Sequence, residues 1–330
     1  MDNSITKELR QFQVRNERLS TYYVSTTAFL GYLSIFLAVV SFKTFPLATF
    51  LLYPIVFALL CRSIVLMHDA GHNSLYKKKW LNSVSGNLMG ILCLIPVDFF
   101  SYLHHKRHAS TGNLEKRDIN PELKTMTVNE YEKSSKTEKW VYRLMRSGFT
   151  RFILIPIILL VVTRIPLPIL NLRGKLAALT YNVRIGVLLF VSIKFGFLLS
   201  LIFGYFIPLF ACYALVTIVF YLQHQFEDTL WLKGEDWNNY DASFEGSSYL
   251  KMGKLMNLIT INIGYHHIHH MNPNIPGYYL SKAHDYIKDS ISFKEVRISE
   301  VFRHMRSKLW DDKTKKLIHY SEIDGYKNTI

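Results

Sequence analysis

The sequence predicts an all-α integral membrane protein with four transmembrane helices in two hairpins and a cytoplasmic helical cap that carries clustered histidines. Hydrophobic residues make up 49% of the 330 residues, yet the formal net charge is +14. The apolar residues gather in long blocks separated by charged stretches, whereas a soluble domain would show short periodic patches. Most of the 13 histidines follow directly after such blocks. Together these features indicate a membrane protein whose chemistry lies at the ends of its helices.

The first apolar block covers residues 22–67. About 20 apolar residues cross a bilayer, so this block is long enough for two crossings, with a tight turn at 42–46. A second block, 184–221, also allows two crossings, with its turn at Gly204 and Tyr205. Lys194 falls inside the third predicted crossing, where a snorkelling side chain or a tilted helix is favoured over a functional charge.

Two further apolar stretches, 81–97 and 152–162, are predicted to be interfacial or re-entrant. The first is loosened by polar residues, and the second is about half a crossing long and contains Pro156. If 81–97 crossed the bilayer, the histidines before and after it would lie on opposite sides. With four crossings, all the clustered histidines meet on one face.

Charge indicates which face this is. Residues 101–150 contain ten Lys and Arg, whereas the short turns on the other side hold at most Lys43. The positive-inside rule therefore places the hydrophilic regions in the cytoplasm. We expect three parts: a cytoplasmic N-terminal segment at 1–21, a membrane domain at 22–285, and a cytoplasmic C-terminal segment at 286–330 that is a solvated tail or a short helix.

Two other sequence features narrow the interpretation. The N-terminus is polar and lacks the apolar core of a cleavable signal peptide. Cys61, Cys93 and Cys212 lie within apolar blocks, so we expect small core residues rather than a disulfide or a thiolate metal site.

The clustered histidines predict a metal site. They occur in the motifs HDAGH (His68, His72), HHKRH (His104, His105, His108), QHQFED (His224) and HHIHH (His266, His267, His269, His270). Histidines four residues apart lie on one face of a helix, and neutral imidazole is the commonest metal ligand. So many ring nitrogens exceed what one ion can use and favour two ions. Imidazole suits iron, zinc, copper and nickel alike, so the ligand type leaves the metal open.

The motifs HDAGH, HHKRHASTGNLE, QHQFEDTLW and NIGYHHIHH followed by NPNIPGYYL resemble the histidine boxes of the integral-membrane fatty acid desaturases, most closely the bacterial acyl-lipid type. The resemblance covers residues 60–285, and the last two motifs match in flanking residues as well as in spacing. It implies two iron ions held by histidines at the cytoplasmic face of four membrane helices. It also implies that dioxygen and two electrons remove two hydrogens from an unactivated acyl chain.

The resemblance implies metal ligands at His68, His72, His104, His108, His224, His266, His269 and His270. His267 points away from the face with i,i+4 spacing and is expected not to bind metal. Asp69, Glu227 and Asp228 sit beside ligands, where a carboxylate can fix the imidazole tautomer. They are equally well interpreted as solvated charges at the interface.

The second box departs from the family pattern, because Arg107 stands where a histidine is expected. Arginine does not release a proton to bind metal. Either His105 supplies the missing nitrogen, through i,i+3 geometry with His108, or one iron has a weakened ligand shell. Arg107 could instead contact a lipid headgroup phosphate. Hydroxylation, oxidation of another lipid and lost activity therefore stay open beside ordinary desaturation.

Other classes of protein fit the sequence less well. HDAGH has the spacing of a zinc-peptidase helix, but Asp69 stands where that motif has glutamate, and the other histidines would have no role. A divalent-metal transporter would bind its ion near mid-bilayer. Soluble carboxylate di-iron proteins carry Glu-x-x-His, which this sequence lacks. A structural membrane protein without activity is the remaining alternative.

The sequence contains no flavin or nicotinamide fingerprint and no cytochrome b5 module. Electrons must therefore come from an external donor, a ferredoxin-like or cytochrome b5-like carrier. The basic cytoplasmic surface would steer an acidic carrier, or it could attract anionic lipid headgroups. The other expected partners are a fatty acyl lipid and O2, with no nucleic acid. The expected location is the bacterial inner membrane.

Overall fold

The structure, a computed structural model, describes residues 3–117, 124–306 and 308–323. Residues 1–2 of the predicted N-terminal segment and 324–330 of the predicted C-terminal segment lie outside this range. The α-helices are α1 Asn3–Glu8, α2 Glu17–Thr44, α3 Pro46–Gly71, α4 Lys79–Cys93, α5 Val97–His108, α6 Val128–Lys133, α7 Lys136–Met145, α8 Ile155–Val162, α9 Leu172–Lys194, α10 Leu198–Leu201, α11 Ile207–His224, α12 Asn239–Glu245, α13 Lys254–Ile259, α14 His266–Met271, α15 Gly277–Ile287 and α16 Val301–His304. The strands are β1 Tyr249–Lys251, β2 Glu295–Arg297, β3 Leu309–Asp311 and β4 Lys316–Ile318.

Shorter helical turns connect some of these elements. Two are π-helical, Thr150–Leu154 before α8 and Ile202–Phe206 between α10 and α11. Three are 3₁₀ turns, Leu9–Phe12, Gly234–Asp236 and Ile298–Glu300. Helices α10 and α11 with the π-helical turn between them form one continuous helical stretch, Leu198–His224.

Among the residues that the structure describes, four helical stretches are long and apolar enough to cross a membrane: α2, α3, α9 and Leu198–His224. Helix α2 begins where the Asn16 side chain accepts the Leu19 N–H at 3.1 Å. Helix α3 begins at Pro46, whose fixed φ suits a first helical turn and whose missing N–H costs nothing there. The chain therefore turns at Phe45, within the turn that the sequence predicted.

The second turn was predicted in the wrong place. It lies at residues 195–197, between α9 and α10, and not at Gly204 and Tyr205. Helix α9 begins twelve residues before the predicted block, because Arg173, Lys175 and Arg184 interrupt its apolar pattern without breaking the helix. Lys194 is consequently the exposed last residue of α9 rather than a charge inside a crossing.

Gly204 has a different role, which is close contact between helices. A Cβ at this position would lie 2.7 Å from the backbone nitrogen of Val39 and 2.8 Å from the carbonyl carbon of Ala38. Only glycine lets the π-helical turn touch the backbone of α2 this closely. The turn is instead made at Gly196, whose φ of +65° lies in the left-handed region.

Helices α4 and α5 form a bent pair, with an angle of 101° across the break at 94–96. His72, before α4, and His104, in α5, have ring centroids 4.9 Å apart. The chain therefore returns to the side that it left, which agrees with the prediction that 81–97 is interfacial or re-entrant. Helix α7 and the stretch Thr150–Val162 form a second bent pair, with an angle of 58°.

Three polar side chains hold the tip of the re-entrant pair. The Tyr205 hydroxyl donates to the Leu92 carbonyl at 2.7 Å, and the Tyr213 hydroxyl donates to the Cys93 carbonyl at 2.9 Å. The Arg164 guanidinium donates to the carbonyl of Leu94 at 3.1 Å. These bonds satisfy carbonyls left open at the end of α4, where water is scarce. The cysteines are free and buried, as predicted.

The N-terminal segment packs on the helices that follow the last histidine motif. Leu9 is fully buried against apolar residues of α14 and α15, including Ile268 and Leu280. The Gln13 amide donates to the Asn272 side chain at 2.7 Å. The segment therefore braces α14 from outside.

The C-terminal segment is more than the solvated tail or short helix that we expected, because its described residues form three strands besides the short helix α16. Strand β2 pairs in parallel with β1, and β3 pairs antiparallel with β4. Leu309 and Trp310 are fully buried. The charged run DDKTKK spans the turn between β3 and β4. Its charged residues suggested a solvated segment, so the short apolar strands on either side were not predicted.

Replacing Gly204 with Ala is expected to lower thermal stability in detergent, because the added methyl group overlaps the backbone of α2. Such overpacking costs about 1–3 kcal/mol. Gly186→Ala in α9 is the matched control, since a Cβ there meets no atom within 4 Å. That variant should be neutral or slightly stabilising. Equal melting temperatures for the two variants would contradict the close contact at Gly204.

Candidate metal centre

The histidine motifs meet in one buried pocket, although they come from four different helices. His68 lies in the last turn of α3, His224 ends α11, and the other motifs lie in α5 and α14. The structure divides them into two groups, His68, His72, His104, His108 and His269 in the first, and His224, His266 and His270 in the second. Within each group the candidate ligand atoms lie within 4.8 Å of one another. The groups adjoin, since the rings of His108 and His270 stack at 4.1 Å.

The ring nitrogens are arranged for a cation rather than for hydrogen bonds. In the first group, His108 Nε2 lies 2.9 Å from His104 Nε2 and 3.1 Å from His269 Nε2. In the second, His266 Nε2 lies 2.9 Å from His224 Nε2 and 3.0 Å from His270 Nε2. A ring nitrogen carries either one proton or one lone pair, so it makes one hydrogen bond and not two. A metal ion between the nitrogens removes this conflict.

Two further nitrogens support the same interpretation. Nε2 of His68 and Nε2 of His72 are buried and have no hydrogen-bond partner. Buried polar atoms of folded proteins are nearly always paired, so these two atoms need a ligand. Burial, together with neighbouring histidines, holds the pKa of His72, His266, His269 and His270 well below the usual value. These imidazoles are therefore neutral, which is the form that binds metal.

Contacts on the far side of two rings fix their orientation. His68 Nδ1 donates to the Asp69 carboxylate at 3.1 Å, and His224 Nδ1 donates to the Gly246 carbonyl at 3.2 Å. Each contact places the proton on Nδ1 and directs Nε2 into the pocket. Asp69 therefore lies where the sequence suggested that a carboxylate could set the tautomer of a ligand.

Asp69 is itself held by a residue that the sequence analysis missed. Its second oxygen accepts the backbone N–H of Gly277 at 2.7 Å, which ties α3 to α15. A Cβ on Gly277 would lie 2.6 Å from the Ile261 carbonyl oxygen and 3.1 Å from this carboxylate. The glycine in NPNIPGYY was the sequence feature that could have indicated this contact. No comparable sequence feature indicated the role of Gly246, whose carbonyl orients His224.

Two histidines of the motifs lie outside both groups. His105 is exposed, although its ring centroid is 5.1 Å from that of His72. The geometry therefore does not support His105 as the source of the missing nitrogen. His267 turns to the opposite face of α14, where its Nε2 lies 3.1 Å from His284 Nδ1.

Of the three carboxylates considered from the sequence, two are turned away from the pocket. Glu227 pairs with Arg303 at 3.1 Å, and Asp228 pairs with Lys316 at 3.3 Å and Lys294 at 3.8 Å. These pairs attach the C-terminal segment to the end of α11. The interpretation of Glu227 and Asp228 as groups that orient ligands is therefore wrong, and they belong to surface ion pairs.

Arg107 lies between the second histidine group and an apolar cavity. Its guanidinium covers the Phe220 ring at 4.2 Å, and it lines a small pocket together with His224 and Gly246. The group beside it has three histidines, whereas the first group has five. The substitution that the sequence analysis identified thus stands next to the smaller group, and it also faces His104 and His108 of the larger group.

A largely apolar cavity of about 200 Å³ opens onto both groups. His68, His104 and His266 line its upper end. Its walls come from α3, α5, α8 and α11, and Cys61, Ile95 and Tyr213 are among the residues farthest from the histidines along these elements. The sequence could not locate this cavity, because its walls come from helices that are distant in sequence.

Comparison with known proteins identifies relatives for nearly the whole chain. The Fatty acid desaturase family profile matches residues 44–302. A fatty acid desaturase of Bacillus subtilis is 32% identical, and the match covers 97% of this chain and 91% of that protein. An sn-1 acyl-lipid omega-3 desaturase (ferredoxin) of Synechocystis is 28% identical over 74% of this chain and 67% of its own length. A protein of the same name from Nostoc is 29% identical over 68% of this chain and 63% of its own length.

Asp69→Asn should weaken metal binding about 10- to 100-fold, because the neutral amide no longer raises the basicity of His68. Metal content after graded chelator treatment measures this loss. Glu227→Gln is the control, since it removes an exposed carboxylate from the neighbourhood of another motif and should leave metal content unchanged. Equal retention of metal in both variants would show that Asp69 does not support the site.

Proposed function

Because the chain belongs to the fatty acid desaturase family, we propose that it introduces a double bond into the acyl chain of a membrane lipid, at two iron ions held by its two histidine groups. The coarser activity follows from the family, since its members are oxygen-dependent membrane oxidoreductases with a histidine-ligated metal centre. The proposed ligands are the eight histidines of the two groups. His105 is left out, because it is exposed and outside both groups.

The observation that carries the proposal is the apolar cavity below the histidines. The residues of α11 that line the cavity run from Gln223 to Tyr213, a rise of about 15 Å at 1.5 Å per residue. An extended run of methylenes fits such a slot, and burial contributes about 0.8 kcal/mol per methylene. The re-entrant tip around Ile95 contributes to the lower end of the slot. A chain that enters from the histidine side would thus stop at a defined depth.

The protein's own residues position the substrate and exclude water, because a methylene has no acidic proton or carbonyl for a side chain to attack. Val65, Phe100 and Phe220 provide apolar walls near the histidines. When bound, the iron pair supplies an oxidant strong enough to break an unactivated C–H bond. Neutral imidazoles suit this role, since they leave the ions their positive charge.

An external carrier must supply the electrons. The names of the Synechocystis and Nostoc relatives include ferredoxin, and this supports a ferredoxin-like donor here. The excess of Lys and Arg in the hydrophilic regions supports a cytoplasmic active site. The Bacillus relative supports a bacterial inner membrane as the location.

Hydroxylation of the same methylene is the second candidate, and Arg107 in the second box is the observation that favours it. A metallopeptidase fits less well. The Asp69 carboxylate would have to act as the general base, yet it is engaged by His68 and by the Gly277 N–H. Both candidates that oxidise lipid use the same cavity, so the product distinguishes them.

Purified protein in lipid vesicles, given reduced ferredoxin and O2, should convert saturated acyl chains into chains that lack two hydrogens. Mass spectrometry of the extracted lipids measures this change, and a gain of one oxygen would indicate hydroxylation instead. His266→Ala should abolish the reaction, because His266 joins two other ligands of the second group. His319→Ala, in the C-terminal hairpin, is the control and should retain activity. Full activity of His266→Ala would refute the proposed centre.

Arg107→His should raise metal content, because a neutral imidazole would replace a cation beside the three-histidine group. Mass spectrometry of the purified protein measures iron per chain for wild type and variant. Arg107→Lys is the control, since it keeps the charge and adds no metal ligand at neutral pH. Two irons per chain in the wild type, without any gain in the variant, would show that the smaller group is already complete.

A further inference from the structure

A patch of cations lies where the loop that follows His72 meets the segment before α2. We infer that Arg15, Lys77, Lys78 and Lys79 form the docking surface for the acidic one-electron carrier that reduces the metal centre. This inference rests on the proposed function, which requires an external donor. The three lysines are exposed and Arg15 is half-buried.

Hydrogen bonds fix this patch relative to the site. Arg15 Nε donates to the carbonyl of Asn73 at 3.0 Å, and Asn73 follows the candidate ligand His72 in sequence. The backbone N–H of Lys77 donates to the Glu17 carboxylate at 3.2 Å. The start of α2 and the loop that leads from His72 to α4 are thereby joined, so the cations have a defined position next to the metal ligands.

The charges of the patch are available to a partner. Within the described residues, none of its four cations forms an ion pair with a carboxylate. Many other surface cations are paired, for example Lys233 with Asp312 at 2.9 Å and Lys251 with Glu295 at 3.2 Å. The four cations outnumber the one carboxylate among them, that of Glu17, which accepts the Lys77 N–H. A patch with such an excess of positive charge creates a field that increases the association rate of an oppositely charged protein.

His105 marks a short route from the outside to the metal site. It is exposed, and its ring centroid lies 5.1 Å from that of the buried His72. Electron transfer weakens steeply with distance, so a carrier is most effective where its cofactor comes closest to a ligand. Arg15, which is bonded to the carbonyl of the residue after His72, connects the patch to this ligand.

The electron count sets what the carrier must deliver. Desaturation converts CH2–CH2, O2, two protons and two electrons into CH=CH and two molecules of water. Two one-electron carriers are therefore oxidised for each double bond, and they must dock and leave in turn. A polar surface held by charge suits such repeated, transient contacts better than an apolar interface does.

Anionic lipid headgroups are the competing occupant, because Trp80, next to Lys79, is 60% exposed and could lie at the membrane interface. We favour the carrier, since Arg15 is bound to the residue that follows His72 and the patch thus adjoins the metal site. The experiment below separates the two occupants.

The test is the triple variant Lys77→Glu, Lys78→Glu, Lys79→Glu, assayed with reduced ferredoxin in detergent and in vesicles. The KM for ferredoxin should rise about 10-fold or more at low ionic strength, with kcat little changed, and the difference should shrink as salt is added. The matching triple Lys→Arg variant should behave as wild type. Lys315→Glu reverses an exposed lysine in the C-terminal hairpin and should leave the KM unchanged.

A second measurement bypasses docking. Reducing the metal centre chemically and then adding O2 should give the same product per chain in the triple variant as in the wild type. An unchanged KM for ferredoxin at low salt would overturn the docking surface. A defect that appears only in anionic vesicles, and not in detergent, would assign the patch to lipid headgroups. No product from the wild type under either regime would instead refute the proposed function.

Discussion

One nitrogen of a neutral imidazole can make one hydrogen bond. In this protein His108 Nε2 and His266 Nε2 each lie within hydrogen-bond distance of two other ring nitrogens. The unmet contacts make the pocket costly without a cation, so other contacts must hold the four helices that carry the histidines. Asp69 and Gly277 join α3 to α15 through a hydrogen bond of 2.7 Å. Leu9 packs on α14 and α15 from outside. Metal binding is therefore coupled to the packing of α3, α14 and α15 with the N-terminal segment. Without an ion the lone pairs of the ring nitrogens repel one another, and with an ion each of them is attracted to it.

The requirement that all the clustered histidines lie on one side of the membrane explains which parts of the fold the sequence could predict. Block length located the first pair of crossings, and the need to bring His72 and His104 together predicted that 81–97 turns back. The second pair was placed wrongly, because apolar block length does not reveal where a helix begins when arginines and lysines occur on its surface. Gly204 stood out in the sequence, but a glycine that permits a close helix contact looks the same there as one that makes a turn.

At the site, the spacing of the histidines predicted which of them converge, whereas adjacency to a histidine did not predict which carboxylates face the pocket. Histidines four residues apart share a helix face, so the i,i+4 pairs of α3, α5 and α14 converge as expected. Adjacency to a ligand says little about direction, since consecutive helical residues differ by about 100°. Asp69 remains next to His68 because both residues lie within α3. Glu227 and Asp228 follow the end of α11, where the chain turns outward, and they pair with cations of the C-terminal segment.

The two histidine groups differ in their number of ring nitrogens and in the charge that lies beside them. The larger group offers five ring nitrogens, whereas the smaller offers three and has the cation Arg107 beside it. A fixed positive charge raises the cost of placing a metal cation nearby, and in a buried pocket water screens this repulsion poorly. The Phe220 ring under the guanidinium offsets part of that charge through its π-electrons. A metal ion in the smaller group should accordingly be held more weakly than one in the larger group.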